Sequence, residues 1–120
     1  MRGKQYLTKP EQFAAVYNKG ASWVNKLVVL KALTNNLEIS RYGFSVSSRV
    51  GGAVVRNRIK RRLREILRQI QLKSGWDIVF IARPVAAGVD YKDLKNSVSN
   101  LITKAKLASA ETKPVGDNPR

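Results

Sequence analysis

Between Arg56 and Arg68 the chain reads RNRIKRRLREILR, and this segment constrains the fold more than any other. Seven of its 13 residues are Arg or Lys and one, Glu65, is acidic. Apolar residues nevertheless recur at three- and four-residue spacing from Val55 through Ile59, Leu63, Ile66, Leu67 and Ile70, the periodicity of a helix that docks on a core. At about 100° per residue, Val55, Leu63, Ile66 and Ile70 fall within about 40° of Ile59, and Asn57, Arg61, Arg64 and Arg68 within about 40° of the opposite pole. Arg58 and Lys60 lie on the flanks, and Arg56 and Arg62 border the apolar stripe. The helix, expected over Ala53–Leu72 and stopped by Lys73-Ser74-Gly75, can therefore bury one side and still display a cationic ridge.

The rest of the composition sharpens that reading. The 120 residues carry 23 Lys and Arg against 8 Asp and Glu, a formal charge of +15. Residues 41–76 hold ten of those cations against Glu65 alone, which places +9 around the basic helix. Solvated helical faces usually mix signs in supportive spacing; here the like charges repel, a local cost that a polyanion offsets. Arg outnumbers Lys six to one in the segment, and its planar fork suits bidentate phosphate contact. Nucleic acid is the leading partner. A membrane-surface helix is also basic and amphipathic, but this apolar stripe is needed for the core.

Catalysis by the chain itself has little support. With no Cys and no His there is no disulfide framework, no thiol nucleophile, no imidazole base and no Cys or His metal ligand. The eight acids, Glu11, Glu38, Glu65, Asp77, Asp90, Asp93, Glu111 and Asp117, are scattered, whereas metal-dependent phosphodiester chemistry gathers several. Asp90 and Asp93 form the one close pair, which helix capping explains. No catalytic and no metal-ligating residue is assigned. The apolar runs Leu27–Leu30 and Ile78–Ala82 are too short to span a bilayer, and Met1–Tyr6 is not followed by a signal-like apolar stretch. A cytoplasmic protein is expected.

Other elements frame the basic helix. Thr8-Lys9-Pro10-Glu11 has capping-box spacing and opens a short helix to Lys19 with Phe13, Val16 and Tyr17 along one face, ended by Gly20. Ser22–Thr34 is apolar and β-branched, Asn35-Asn36 signals a turn, and Glu38–Ser48 alternates as a strand with Tyr42, Phe44 and Val46 on one face, up to Gly51-Gly52. Trp76–Arg83 is a short apolar strand stopped by Pro84, and a last helix runs from the cap Asp90 to about Ala108 on the face Leu94, Val98, Leu101, Ile102 and Ala105. Residues 111–120 carry Pro, Gly and charge without periodicity, a tail beyond a single domain over 1–110. The order is an α+β sandwich, with the basic helix crossing between two strands that could lie parallel. Base rate favours a right-handed crossover.

The run RNRIKRRLRE, preceded by GFSVSSRVG at Gly43–Gly51 and followed by DIVFIAR at Asp77–Arg83, resembles the bacterial ribonuclease P protein subunit. The resemblance extends from the EQF–VY pattern at Glu11–Tyr17 to the last helix. It implies an α-β-β-β-α-β-α sandwich whose crossover is left-handed, an expectation that here displaces the base rate. It also implies a small monomeric partner, one to one, of a catalytic RNA that holds the Mg2+ ions and cleaves precursor tRNA to release the 5′ leader, with no cofactor bound by the protein alone.

Carried over by matching positions, Arg56, Asn57, Arg58, Lys60, Arg61 and Arg64 would meet the RNA, and Arg68 extends the ridge by geometry. Phe13 and Tyr17 match an aromatic pair in a cleft for the single-stranded leader; spacing alone favours reading them as core, and the resemblance reverses that. Lys31 lies in a strand facing that cleft, where the family often has an aromatic. Ser47 and Arg49 end the preceding strand near the helix start, and Ser48-Arg49 stands where the family often has two basic residues. The alternative is another structural RNA-binding role, ribosomal or chaperone-like, which the same helix could serve. A stand-alone nuclease lacks its constellation.

Overall fold

A computed structural model describes residues 5–109; the proposed tail 111–120 lies outside them. The chain order is β1 (Gln5–Tyr6), α1 (Pro10–Lys19), β2 (Ala21–Val24), β3 (Val28–Thr34), β4 (Arg41–Ser45), α2 (Ala53–Arg68), β5 (Trp76–Ala82), a 3-10 turn (Pro84–Gly88) and α3 (Tyr91–Lys104). The α-β-β-β-α-β-α order holds, with the two-residue β1 and the 3-10 turn added to it. The sheet order is β1-β4-β5-β3-β2. β4 and β5 are parallel neighbours, so α2 is a crossover helix between them, while β3 pairs antiparallel with both β5 and β2.

β5 is the central long strand, which explains its nearly unbroken apolar run: Ile78, Val79 and Phe80 are all fully buried because both faces of the sheet are covered. Leu30, Ile78 and Phe80 point into the main core, shared with Ile59, Leu63, Ile66 and Leu67 of α2 and Leu94, Val98, Leu101 and Ile102 of α3. The opposite face holds a smaller cluster in which Val79 meets Leu7 and Val16, with Phe13, Leu33 and Ile81 packed around it.

Several boundaries differ from the sequence reading, each for a local reason. α1 starts one residue later than the Thr8–Glu11 box implies: Pro10 takes the first helical position, and Gln12 Oε1 accepts from the N–H groups of Thr8 (2.9 Å) and Lys9 (3.0 Å). Gly20 ends it as expected, where a Cβ would lie 2.6 Å from the Val16 carbonyl oxygen and 2.9 Å from that of Ala32. The Ser22–Thr34 run is split into a hairpin by Asn25, whose Oδ1 accepts from Leu27 and Val28 N–H and from the Ser97 hydroxyl. Its Nδ2 donates to the Ser97 carbonyl, tying the hairpin to α3. The Glu38–Ser48 strand shrinks to Arg41–Ser45 because the approach to it is held by other bonds: Ser40 Oγ donates to the Lys73 carbonyl and accepts from Trp76 N–H.

Both long helices stop four residues short of the ends expected from the sequence, Leu72 and Ala108. α2 ends at Arg68 and α3 at Lys104, and the chain beyond each pairs with the other. Leu72 bridges Ala108, Lys73 N–H donates to the Leu107 carbonyl at 2.8 Å, and Ser109 N–H donates to that of Gln71 at 2.8 Å. Lys106 takes the left-handed conformation (φ 58°), which turns the chain so that Leu107 enters the core. The last periodic residues, Ile70 and Ala105, still pack against the core, but beyond them the backbone bonds run between the two segments. At the other end of α3, Asp90 caps as read, accepting from Asp93 N–H.

One charged network pins β4 to β5. Arg41 grips Asp77 through two bonds, Nε to Oδ1 at 2.8 Å and Nη2 to Oδ2 at 2.7 Å, and Asn35 Nδ2 adds a third at 2.9 Å. Burial alone would raise the Asp77 carboxyl, but the hydrogen bonds from Arg41 and Asn35 and the Arg41 charge outweigh it and hold the group below its ordinary value. The lowered value makes the carboxylate a stabilising group above about pH 4 and removes that contribution as acid protonates it. Asp77→Asn is expected to cost roughly 2 kcal/mol at neutral pH, and the gap to the parent chain should close as pH falls below about 4. Thermal melts across pH 2–7 check this; a gap independent of pH would refute it.

Candidate RNA interface

α2 follows Gly52, which caps it in an extended conformation with no side-chain bond, and its first turn carries no acid. Its position is therefore set by the buried stripe. Each of Ile59, Leu63, Ile66 and Leu67, at most 2% exposed, contributes about 1.5–3 kcal/mol by burial, against about 0.2–0.5 kcal/mol for each like-charge pair one turn apart. Burial prevails, and the cations are presented outward. Asn57, Arg61, Arg64 and Arg68 are all exposed, as the helical wheel requires, whereas Arg56, Arg58, Lys60 and Arg62 are half-buried along the flanks.

The flanking arginines do different work from the ridge. Arg58 Nη2 donates to the Ala87 carbonyl and Arg62 Nη1 to that of Val89, both at 3.2 Å, fastening α2 to the 3-10 turn and the entry to α3. The Nε groups of Arg56 and Arg58 are buried without a protein acceptor. At the C-terminal end Arg68 Nη1 pairs with Glu65 Oε1 at 2.7 Å, both side chains at least half exposed. Such a surface pair is weak, yet it partly neutralises the end of the ridge and leaves Arg61 and Arg64 as its freely projecting centre.

The second group of candidates lies on the face of the sheet covered by α1. Phe13 is half-buried, seated over Gly43 of β4 beside Leu7, and Tyr17 stands one turn on, 39% exposed, its ring centroid 6.5 Å from that of Phe13. Phe13 packs on the small cluster while remaining only half-buried, and Tyr17 is a surface ring. Lys31 shares this face through strand alternation, in register with Ser22 on β2 and Val79 on β5, which in turn pairs with Gly43. The next row on the same face runs Val24, Val29, Ile81 and Ser45, with Val24 56% exposed and the other three half-buried.

This apolar row extends the floor beyond α1 and was not singled out from sequence. The signal was the alternation about Lys31, which puts Val29 on its side of β3, but the partners on β2, β5 and β4 depend on sheet order. Ser47 and Arg49 are exposed on the loop after β4, where Ser47 Oγ accepts from Arg49 N–H at 3.3 Å. That loop leads from the α1 face to α2, which packs on the other side. The candidate residues therefore form two surfaces on opposite sides of the sheet, joined by one loop, rather than one cluster.

Among the described residues no group of acidic side chains is placed to hold a metal ion, and no helix is long and apolar enough to cross a membrane. Fold and surfaces together define a small α+β protein of the RNA-binding class, with a cationic crossover helix on one side of its sheet and the aromatic pair Phe13 and Tyr17 on the other. The family model described as Ribonuclease P matches residues 1–106, and the ribonuclease P protein component of Dehalococcoides mccartyi strain CBDB1 is 50% identical over 109 residues, 91% of each chain. The chain belongs to the ribonuclease P protein family, the protein component of an endoribonuclease ribonucleoprotein whose partner is ribonuclease P RNA. The corresponding protein of Alkaliphilus metalliredigens strain QYMF is 43% identical over 111 residues, covering 91% of this chain and 100% of that one. Among solved structures, the Staphylococcus aureus RNase P protein superposes with a TM-score of 0.80 at 31% identity, over 89% of this chain and 100% of that one. The Thermotoga maritima protein gives 0.74 at 29% identity, over 84% and 97%.

Replacing Arg61 and Arg64 together by Ala removes the exposed centre of the ridge without touching the buried stripe. Affinity for ribonuclease P RNA should fall and the slope of log K against log salt should flatten by about one phosphate's worth per lost contact. Filter binding from 50 mM to 400 mM salt measures it, and an unchanged slope would remove the ridge from the interaction.

Proposed function

We propose that the two surfaces divide the work of 5′ maturation of tRNA. The α2 ridge, with Asn57, Arg61 and Arg64 at its exposed pole and Arg56, Arg58, Lys60 and Arg68 around it, binds the catalytic RNA by neutralising phosphates and releasing counterions. Asn57 is the polar group among these cations able to fix a local geometry. The trough formed by Phe13, Tyr17 and Lys31 over the Val29–Ile81 floor, continued by Ser47 and Arg49, takes the single-stranded 5′ leader of precursor tRNA. Stacking of bases on rings tolerates sequence and contributes roughly 1–3 kcal/mol per base, which suits a site meeting many leaders.

The observation that carries this reading is the pairing of a basic ridge with an aromatic trough on opposite sides of one sheet, in a chain of this family. A single protein so built can touch two RNA elements at once. The RNA supplies the chemistry and holds the Mg2+ ions, and the protein acts in the cytoplasm as a monomer in a one-to-one complex. Lys31 in place of an aromatic shifts recognition at that point from stacking towards a phosphate of the leader.

Incubating precursor tRNA at low Mg2+ with the protein, with a ribonuclease P RNA, and with both tests the division of labour. Mature 5′ ends should form faster when protein is added to RNA, and none should form with protein alone. Cleavage by the protein alone would overturn the reading, and absence of stimulation would point to a different RNA-binding role. Phe13→Ala in the reconstituted enzyme should weaken precursors with long leaders on the order of tenfold and leave leaderless tRNA unaffected. Equal loss on both substrates would return Phe13 to a purely structural part.

A further inference from the structure

Gly43 sits in the middle of β4, in a backbone conformation open to any residue: the positive-φ glycine among the described residues is Gly75, not Gly43. Nothing in its dihedral angles asks for glycine, and strand interiors disfavour it. What asks for it is the ring above. A Cβ at position 43 would lie 2.5 Å from Phe13 Cε1, 2.6 Å from Phe13 Cζ and 3.2 Å from Leu7 Cδ1, where carbon atoms pack at about 3.5–4.0 Å. A methyl group there would lift the ring by about 1 Å. The same row carries the buried Val79 and then Lys31, so the height of Phe13 is set relative to the other side chain assigned to the leader surface.

We propose that Gly43 is a positioning residue for leader recognition: the missing side chain on β4 seats Phe13 down on the sheet, so that its open side and Tyr17 border a slot deep enough for an unpaired base. The inference rests on the leader reading above. It assigns Gly43 no contact with RNA; the residue acts through the ring. Residue 43 thereby becomes a determinant of how strongly the enzyme discriminates precursor with a leader from mature tRNA.

A double-mutant cycle in the reconstituted holoenzyme tests this, with Gly43→Ala, Phe13→Ala and the two combined, each assayed for binding of precursor with a ten-nucleotide leader and of leaderless tRNA. Gly43→Ala should weaken the long-leader substrate on the order of tenfold, leave leaderless tRNA and affinity for the RNA subunit unchanged, and have no further effect once Phe13 is Ala. The combined variant has no ring to collide with the new methyl group, so it keeps the comparison available if Gly43→Ala folds poorly. Its leader affinity should then match that of Phe13→Ala alone. Additive losses, or equal losses on both substrates, would overturn the inference. A leader effect for Phe13→Ala with none for Gly43→Ala would overturn it while sparing the leader reading. If Phe13→Ala shows no leader effect, both fall.

Discussion

The cationic side of this protein depends on the burial of four side chains, Ile59, Leu63, Ile66 and Leu67, beneath the helix that carries the cations. An isolated helix with so many like charges one turn apart would fray. Docked on α3 and the inner face of the sheet, the same residues become a rigid array whose spacing is set by the helix rather than by mutual repulsion. The fold spends its main core on holding a surface in place. Arg58 and Arg62 reinforce that arrangement by bonding the carbonyls of Ala87 and Val89, so part of the positive charge is structural and the rest projects into solvent.

The sheet separates two kinds of surface. On one side lies the charged, Arg-rich helix, the surface proposed to meet RNA phosphates. On the other lie the rings of Phe13 and Tyr17 and a row of β-branched side chains, the surface proposed to meet unpaired bases. The loop with Ser47 and Arg49 passes between them.

The lowered Asp77 carboxyl and its bidentate Arg41 show a different use of charge. Here the pair lies where β4 and β5 run parallel, at the start of both strands, and it fixes the register on which the row Gly43, Val79 and Lys31 depends. Aromatic seating, leader floor and charged clamp are thus consecutive rows of one sheet face, and a slip of one residue would turn all of them to the other side.

How much of this was legible in the chain differs from element to element. The three helices, the exposed pole at Asn57, Arg61, Arg64 and Arg68, and the buried stripe followed from periodicity, because a helix is defined by neighbours three and four residues apart. So did the cap at Asp90 and the apolar strand at β5. The ends of α2 and α3 did not, since the segments holding Leu72 and Leu107 lie off the apolar stripes of their helices and bond to each other. The Asn25 turn was hidden because its side chain is held by Ser97, 72 residues away. The sequence by itself determined which residues are cationic, which are apolar, and that one helix must divide them. Only the tertiary structure decided that Phe13 rests on Gly43, that Val29 and Ile81 continue its floor, and that Arg58 and Arg62 are anchors, because each of these depends on strand order and close approach between segments distant in the chain.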